Sequence, residues 1–268
     1  MQGTAALLLS LLGSVQAQTN DGVHAAANGA IYAFGVQLDG KVIVGGAFTN
    51  LAGQVRSHIG RLNPNGTLDP LFNPSPINSV NALLIQPDGQ IVAASTFNIF
   101  SGYNLVRMKP DGTADNSFHV TASDAVSCLA LQSDGKILLG GAFKIVQGQS
   151  RNLLARLNPN GTLDTAFHPI IVGTNAFPYS GMDEVLSIAL QADGNILIGG
   201  SFTSINGTGC TNLGRLYSDG TLDSTFVPPR IAYPVQCVTI QPDGKILAGL
   251  AGPVEPSLPF FPPGTNFL

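Results

Sequence analysis

Side chains able to do chemistry are sparse in this sequence, and those present are tested first. Asp183 and Glu184 are the one adjacent acidic pair. Two carboxyl groups can serve as general acid and base, but neighbours on a strand face opposite ways, so adjacency alone does not make such a couple. His24, His58, His119 and His168 are scattered, with no His-x-x-x-His or Glu-x-x-His spacing to hold a metal. A calcium loop reads Asp-x-Asp-x-Asp-Gly; Asn63-Pro64-Asn65-Gly66 supplies too few carboxylates and reads as a turn. No residue pattern calls for a metal or a cofactor. Cys128 and Cys237 recur at one position of an internal repeat where Ala33, Ala82 and Ser187 stand in the other copies, so they serve as small buried residues rather than as a disulfide. Cys210 falls in a loop and is expected to be exposed.

Two further sets remain. Arg61, Arg107, Arg156 and Arg215 each precede an Asp by eight positions (Asp69, Asp115, Asp164 and Asp223). The spacing predicts four bidentate Arg–Asp pairs between adjacent strands; the functional alternative is a ring of arginines for anions. The second set is aromatic: Phe177 and Tyr179 lie in the longest connection between repeats, and Phe100 and Tyr103 in a second irregular loop. Loops on a rigid scaffold carry recognition, and aromatic rings stack on sugars or anchor protein partners. The same rings could simply cover the end of a sheet. Candidate binding residues are therefore Phe177, Tyr179, Asp183, Glu184, Phe100 and Tyr103.

The elements that must position these groups are set by repetition. Gln-x-Asp-Gly recurs with its aspartate at Asp39, Asp88, Asp134, Asp193 and Asp243, at spacings of 49, 46, 59 and 50 residues. A second signature, Arg61-Leu62-Asn63-Pro64-Asn65-Gly66-Thr67-Leu68-Asp69 ending at Phe72, returns from Arg107, Arg156 and Arg215 and is missing from the fifth copy. Apolar runs flank each Asp-Gly, a hairpin signal, and helical periodicity is absent. Each full unit reads as four short strands, the last at 162–167 in the third copy. Before each turn, large side chains (Leu129 and Leu131) alternate with small ones (Cys128 and Ala130). That strand fits between closely converging sheets, as do the pairs Gly45-Gly46, Gly140-Gly141 and Gly199-Gly200. The expected fold class is all-β: a β-propeller of four-stranded antiparallel blades, four full repeats plus a partial fifth. An open β-solenoid is the rival.

Composition agrees. Of 268 residues only 10% are charged and 44% are hydrophobic, while 32 Gly and 18 Pro call for many turns. A net charge of −4 supplies no basic field for nucleic acid or an anionic membrane. Residues 5–12 form an apolar run, too short to span a bilayer, and Val15-Gln16-Ala17 offers a cleavage site after Ala17. The expected organisation is a signal peptide at 1–17, a linker at 18–27, propeller repeats at 28–252 (blades about 28–76, 77–122, 123–177, 181–230 and 231–252) and a divergent Pro-rich tail at 253–268. Asn65-Gly66-Thr67, Asn160-Gly161-Thr162 and Asn206-Gly207-Thr208 match the glycosylation sequon, though the first two coincide with turns of the repeat.

The run Leu131-Gln132-Ser133-Asp134-Gly135-Lys136-Ile137-Leu138-Leu139-Gly140-Gly141-Ala142-Phe143, followed by Asn152 through Asp164, resembles the delta-60 repeat over roughly residues 28–250. That resemblance implies a β-propeller in a secreted bacterial protein, on the surface or outside the cell, and hands over no catalytic residues. Copy two departs with Ala94-Ser95 in place of the Gly pair, and copy five runs out into the tail. The functional expectation is a secreted or surface-exposed, non-enzymatic module for binding or scaffolding. Its partner would be an extracellular protein or glycan, with no nucleic acid and no transmembrane segment. Two alternatives stand: a structural repeat fragment of a larger surface protein, and a propeller hydrolase or lyase acting on carbohydrate. The lack of Trp for a sugar platform weighs against the last.

Overall fold

The computed structural model describes residues 26–74, 78–95, 103–173 and 183–251. The expected signal peptide and tail, with Phe100, Phe177 and Tyr179, lie outside the described residues. Every regular element within them is a β-strand, and every pairing is antiparallel. Blade 1 is Ile31–Val36, Val42–Gly46 and Ile59–Leu62; blade 2 is Val80–Ile85, Ile91–Ser95, Leu105–Met108 and Ala114–Val120. Blade 3 is Val126–Leu131, Ile137–Gly141 and Leu154–Leu157; blade 4 is Glu184–Leu190, Ile196–Ser201 and Leu213–Leu216; blade 5 is the hairpin Val235–Ile240 and Ile246–Leu250. The chain is a β-propeller array of successive antiparallel blades.

Each Gln-x-Asp-Gly turn has the same construction. Gly40 N–H donates to Gln37 O at 3.0 Å, Gln37 N–H to Lys41 O at 2.8 Å, and the Asp39 carboxylate accepts Lys41 N–H. Gly40 sits at φ 80° while Asp39 does not have positive φ, so this is a three-residue loop closed by a left-handed glycine. True two-residue turns, with both φ values positive, occur at Ala52-Gly53, Gln147-Gly148 and Asn206-Gly207. They cap short ladders between the second and third strands of blades 1, 3 and 4, in stretches the sequence marks only as loop.

Among the described residues the fourth strand is complete only in blade 2, where Leu105 pairs with Val120. In blades 1, 3 and 4 it shrinks to the single bridges Leu62–Leu68, Leu157–Leu163 and Leu216–Leu222. At the expected strand 162–167, Asp164 O accepts Phe167 N–H, and this turn carries the chain off the sheet. The freed segment of blade 3 pairs with blade 4 instead, Ile171 opposite Ile205, and after the complete strand of blade 2 Ala122 lies opposite Val146 of blade 3.

Every first strand carries a β-bulge, between Ile31 and Ala33 and at the same place in the other four blades. The extra residue reverses the strand's alternation. Val80 and Leu83, three apart, consequently point the same way, onto Gly45 of blade 1. A Cβ on Gly45 would stand 2.6 Å from Val80; one on Gly199 would stand 2.6 Å from Val235 and 2.8 Å from Val238. Blades therefore approach as bulky knobs over glycine, and the hydrophobic core is a series of layers between them. One joins Ile43, Ile59 and Phe72 to Val80 and Ile91; another joins Leu138 and Leu154 to Val185 and Ile198. Each fully buried knob contributes ~2 kcal/mol by removal of apolar area from water.

Candidate functional site

The four repeated arginines are structural clamps. Arg61 Nε and Nη2 both reach Asp69 Oδ2 at 2.9 Å, while Asp69 Oδ1 accepts Leu71 N–H. The fork thus converges on one carboxylate oxygen rather than spanning two. Nη1 crosses to the next blade, donating to Pro110 O; Arg107 reaches Pro159 O at 2.8 Å, and Arg156 reaches Ser218 O. Each guanidinium also lies over the terminal phenylalanine of its repeat, 4.6 Å from Phe72, 4.5 Å from Phe118, 4.3 Å from Phe167 and 4.8 Å from Phe226. Burial pushes the Asp69 and Asp164 carboxyls up, but hydrogen bonds from lysine, arginine and backbone reverse this and hold both below the usual range. Ser117 first, then Arg107, holds Asp115 at about 2; Thr225 first, then Arg215, holds Asp223 at about 2. The five turn aspartates each accept the N–H two residues on, so they too are spent on structure.

What remains lies where the sequence departs from its own repeat. Glu184 opens the first strand of blade 4, at a position occupied by Ala30, Ser79, Ala125 and Pro234 in the other blades. Its carboxylate accepts the hydroxyl of Ser127, the bulged residue of blade 3. Burial raises the Glu184 pKa; the Ser127 hydrogen bond opposes this, and Asp124 adds to it. Asp183 stands against Gly173, so the two ends of the 174–182 connection meet beside Glu184. Asp124, Ser127, Asp183 and Glu184 form the candidate site, astride blades 3 and 4. Ser127 escapes sequence reasoning because only the bulge aims it at Glu184. No group of three or more His, Cys, Asp or Glu able to hold a metal occurs among the described residues.

The remaining candidates are separate. Tyr103 stacks on His119, centroids 4.4 Å apart and planes inclined by 18°. His168 lines a shallow cavity of about 130 Å³ with Ser150, Asn152, Pro169 and Ile170. Phe100, Phe177 and Tyr179 lie outside the described residues. All three cysteines are free. Cys210 is half-buried rather than exposed, its thiol directed at Leu213 O, and burial raises its pKa. Asn206 of the third sequon uses both ends of its amide, accepting from Ile170 N–H and donating to Gly220 O. No helix among the described residues is long and apolar enough to cross a membrane.

No curated protein matches the sequence. Among solved structures, the chain is similar to virginiamycin B lyase from Staphylococcus aureus, at 17% identity and a TM-score of 0.50, over 81% of this chain and 61% of the lyase. It is also similar to the extracellular domain of a protein assigned as a one-component system, BT4673 from B. thetaiotaomicron, at 15% identity and a TM-score of 0.49, over 82% of this chain and 26% of that one. The chain thus spans about a quarter of one relative and about three fifths of the other. At these identities the likeness shows the fold alone. The profile described as "Domain of unknown function (DUF5122) beta-propeller" matches residues 37–72, 86–118, 132–167 and 191–226, more than half of the sequence. Each match opens at a Gln-x-Asp-Gly turn and closes on the phenylalanine beneath a clamp arginine. The chain belongs to the DUF5122 β-propeller family.

Proposed function

We propose that this chain is a non-enzymatic binding or scaffolding module that works outside the cell, and that it recognises an extracellular protein or glycan where the first strands of blades 3 and 4 begin. The observation carrying this reading is the division of polar groups. The repeated arginines and turn aspartates are consumed in clamps and turns, whereas Asp124 and Asp183, which share one register position in blades 3 and 4, and Glu184 lie outside those clamps and turns; Glu184 meets Ser127 and lies near Asp124, with Asp183 beside it in the chain. The connection joining Gly173 to Asp183 contains Phe177 and Tyr179 in its sequence, residue types that recognition loops use to stack on sugars or anchor partners. Export rests on the apolar run at 5–12 and the small residues before Ala17.

The test is a glycan array together with capture of surface proteins by the purified chain. Saturable binding without turnover, lost in Tyr179→Ala and in Asp183→Asn, is the expected result; binding unchanged by both substitutions would sink the assignment of the site. One observation favours a second reading as hydrolase or lyase. Glu184 is partly buried with a raised pKa, the condition in which a carboxyl stays protonated long enough to act as a general acid. Turnover of a carbohydrate abolished by Glu184→Gln would establish that reading in place of the first.

A further inference from the structure

The contact between blades is built alike at three junctions. From the first strands of blades 2, 4 and 5, one or two bulky residues project onto a glycine of the blade before. Val80 and Leu83 cover Gly45, Val185 covers Gly140, and Val235 with Val238 covers Gly199. Beside the small residue lies a large apolar side chain of the same blade, Ile43, Leu138 or Leu197, and these are wholly buried by the contact. Each junction thus has a knob face and a socket face.

Among the described residues, one face of each kind is left over at the two ends of the array. Blade 1 carries the knobs Ile31, Phe34 and Val36 at the positions of Val80, Leu83 and Ile85, but Ile31 is 36% exposed where Val80 is fully buried, and Phe34 and Val36 are exposed where Leu83 and Ile85 are partly buried. Blade 5 carries the socket: Gly249 corresponds to Gly199, and Leu247 to Leu197. A Cβ on Gly249 would meet only Cys237 of its own blade, and Leu247 is partly exposed where Leu197 is fully buried. The exposure of both faces shows that they do not cover each other within the chain.

We propose that these faces form a head-to-tail interface between copies of this chain, blade 1 of one copy seating Ile31, Phe34 and Val36 on the Leu247–Gly249 face of blade 5 of another. The fit is the one the chain already makes between its own blades, so the second copy needs no new surface chemistry. Using two different patches, the contact is heterologous, and it closes into a ring or extends. Covering an exposed apolar strand face also removes a surface prone to unspecific pairing.

Sedimentation velocity of the full chain over a roughly 100-fold concentration range reads the outcome, because assembly follows mass action. The expected result is a mass that rises with concentration. Phe34→Asp spoils only the knobs and Leu247→Asp only the socket, so each variant alone is expected to stay monomeric. Mixed in equal amounts they should give one discrete dimer, since one partner keeps its socket and the other its knobs. Circular dichroism melts matched to wild type establish that the variants fold. Should either fail to fold, Val36→Lys replaces the first, and Thr239→Lys, at the cross-strand partner of Leu247, replaces the second. A wild-type chain that is monomeric throughout overturns the proposal and gives the faces to residues outside those described. Association undiminished in the single variants, or a mixture that stays monomeric, overturns it equally.

Discussion

Arg156 shows how one side chain can serve two blades. Its Nε bonds Asp164 Oδ2 at 2.9 Å, its plane covers Phe167, and Nη1 reaches Ser218 O in blade 4. The side chain is only 9% exposed, so this is not a solvent-screened surface pair. Removing one partner of a buried pair leaves the other uncompensated. Arg156→Ala is therefore expected to lower unfolding free energy by about 3 kcal/mol in urea titrations, and Arg156→Lys should recover little, because a single ammonium cannot hold all three positions. Acid acts on the same contacts. The clamp aspartates have folded-state pKa values below the ordinary 3.8, with Asp115 and Asp223 at about 2. A depressed carboxyl contributes stability that is complete above its unfolded value and is lost as pH falls through its folded one. The thermal midpoint should accordingly decline between about pH 4 and pH 2. The eight-residue Arg–Asp spacing is visible in sequence; the third arm, aimed at a carbonyl of the following blade, corresponds to no local pattern.

Turns and bulges decide how those residues are presented. Ala52 sits at φ 50° in a two-residue turn, a conformation that costs an L-residue with an ordinary side chain roughly 1 kcal/mol but suits Asn. Ala52→Asn should raise stability by about 0.5–1 kcal/mol, read as an upward shift of the thermal midpoint. The bulge in each first strand has the larger consequence. Strict alternation places Leu129 and Leu131 together, as the sequence shows; only the bulge at Ser127 adds Val126 to that face. The approach so created leaves no room for a Cβ on Gly199. Gly199→Ala is expected to cost about 1–3 kcal/mol by overpacking, and Val235→Ala in the same chain should return part of the loss. A Gly199→Ala protein as stable as wild type would mean that blades 4 and 5 separate easily.

Across the whole molecule, burial falls toward blade 5. Phe72, Phe118 and Phe167 are fully buried, each against the glycine of the next blade's second turn (Gly112, Gly161 and Gly220). Blade 5 has no second turn among the described residues, and Phe226 is only half-buried. The Arg215 side chain is likewise 22% exposed against 9% for Arg156. In a repeat array each unit is stabilised mainly by its neighbours, so amide exchange should be fastest in Val235–Leu250 and slowest in blade 3. Uniform protection from blade 1 to blade 5 would contradict this gradient. By itself the sequence determined the all-β class, the blade count, the Asp-Gly turns and the Arg–Asp partners, because these depend on residues close along the chain and are written four or five times. The tertiary structure alone decided which phenylalanine meets which glycine, how Ser127 finds Glu184, and that blades 1 and 5 end on opposite halves of one contact. The contacts among these join residues about forty to sixty positions apart through a bulge and a close approach of backbones, and no spacing of side-chain types encodes either.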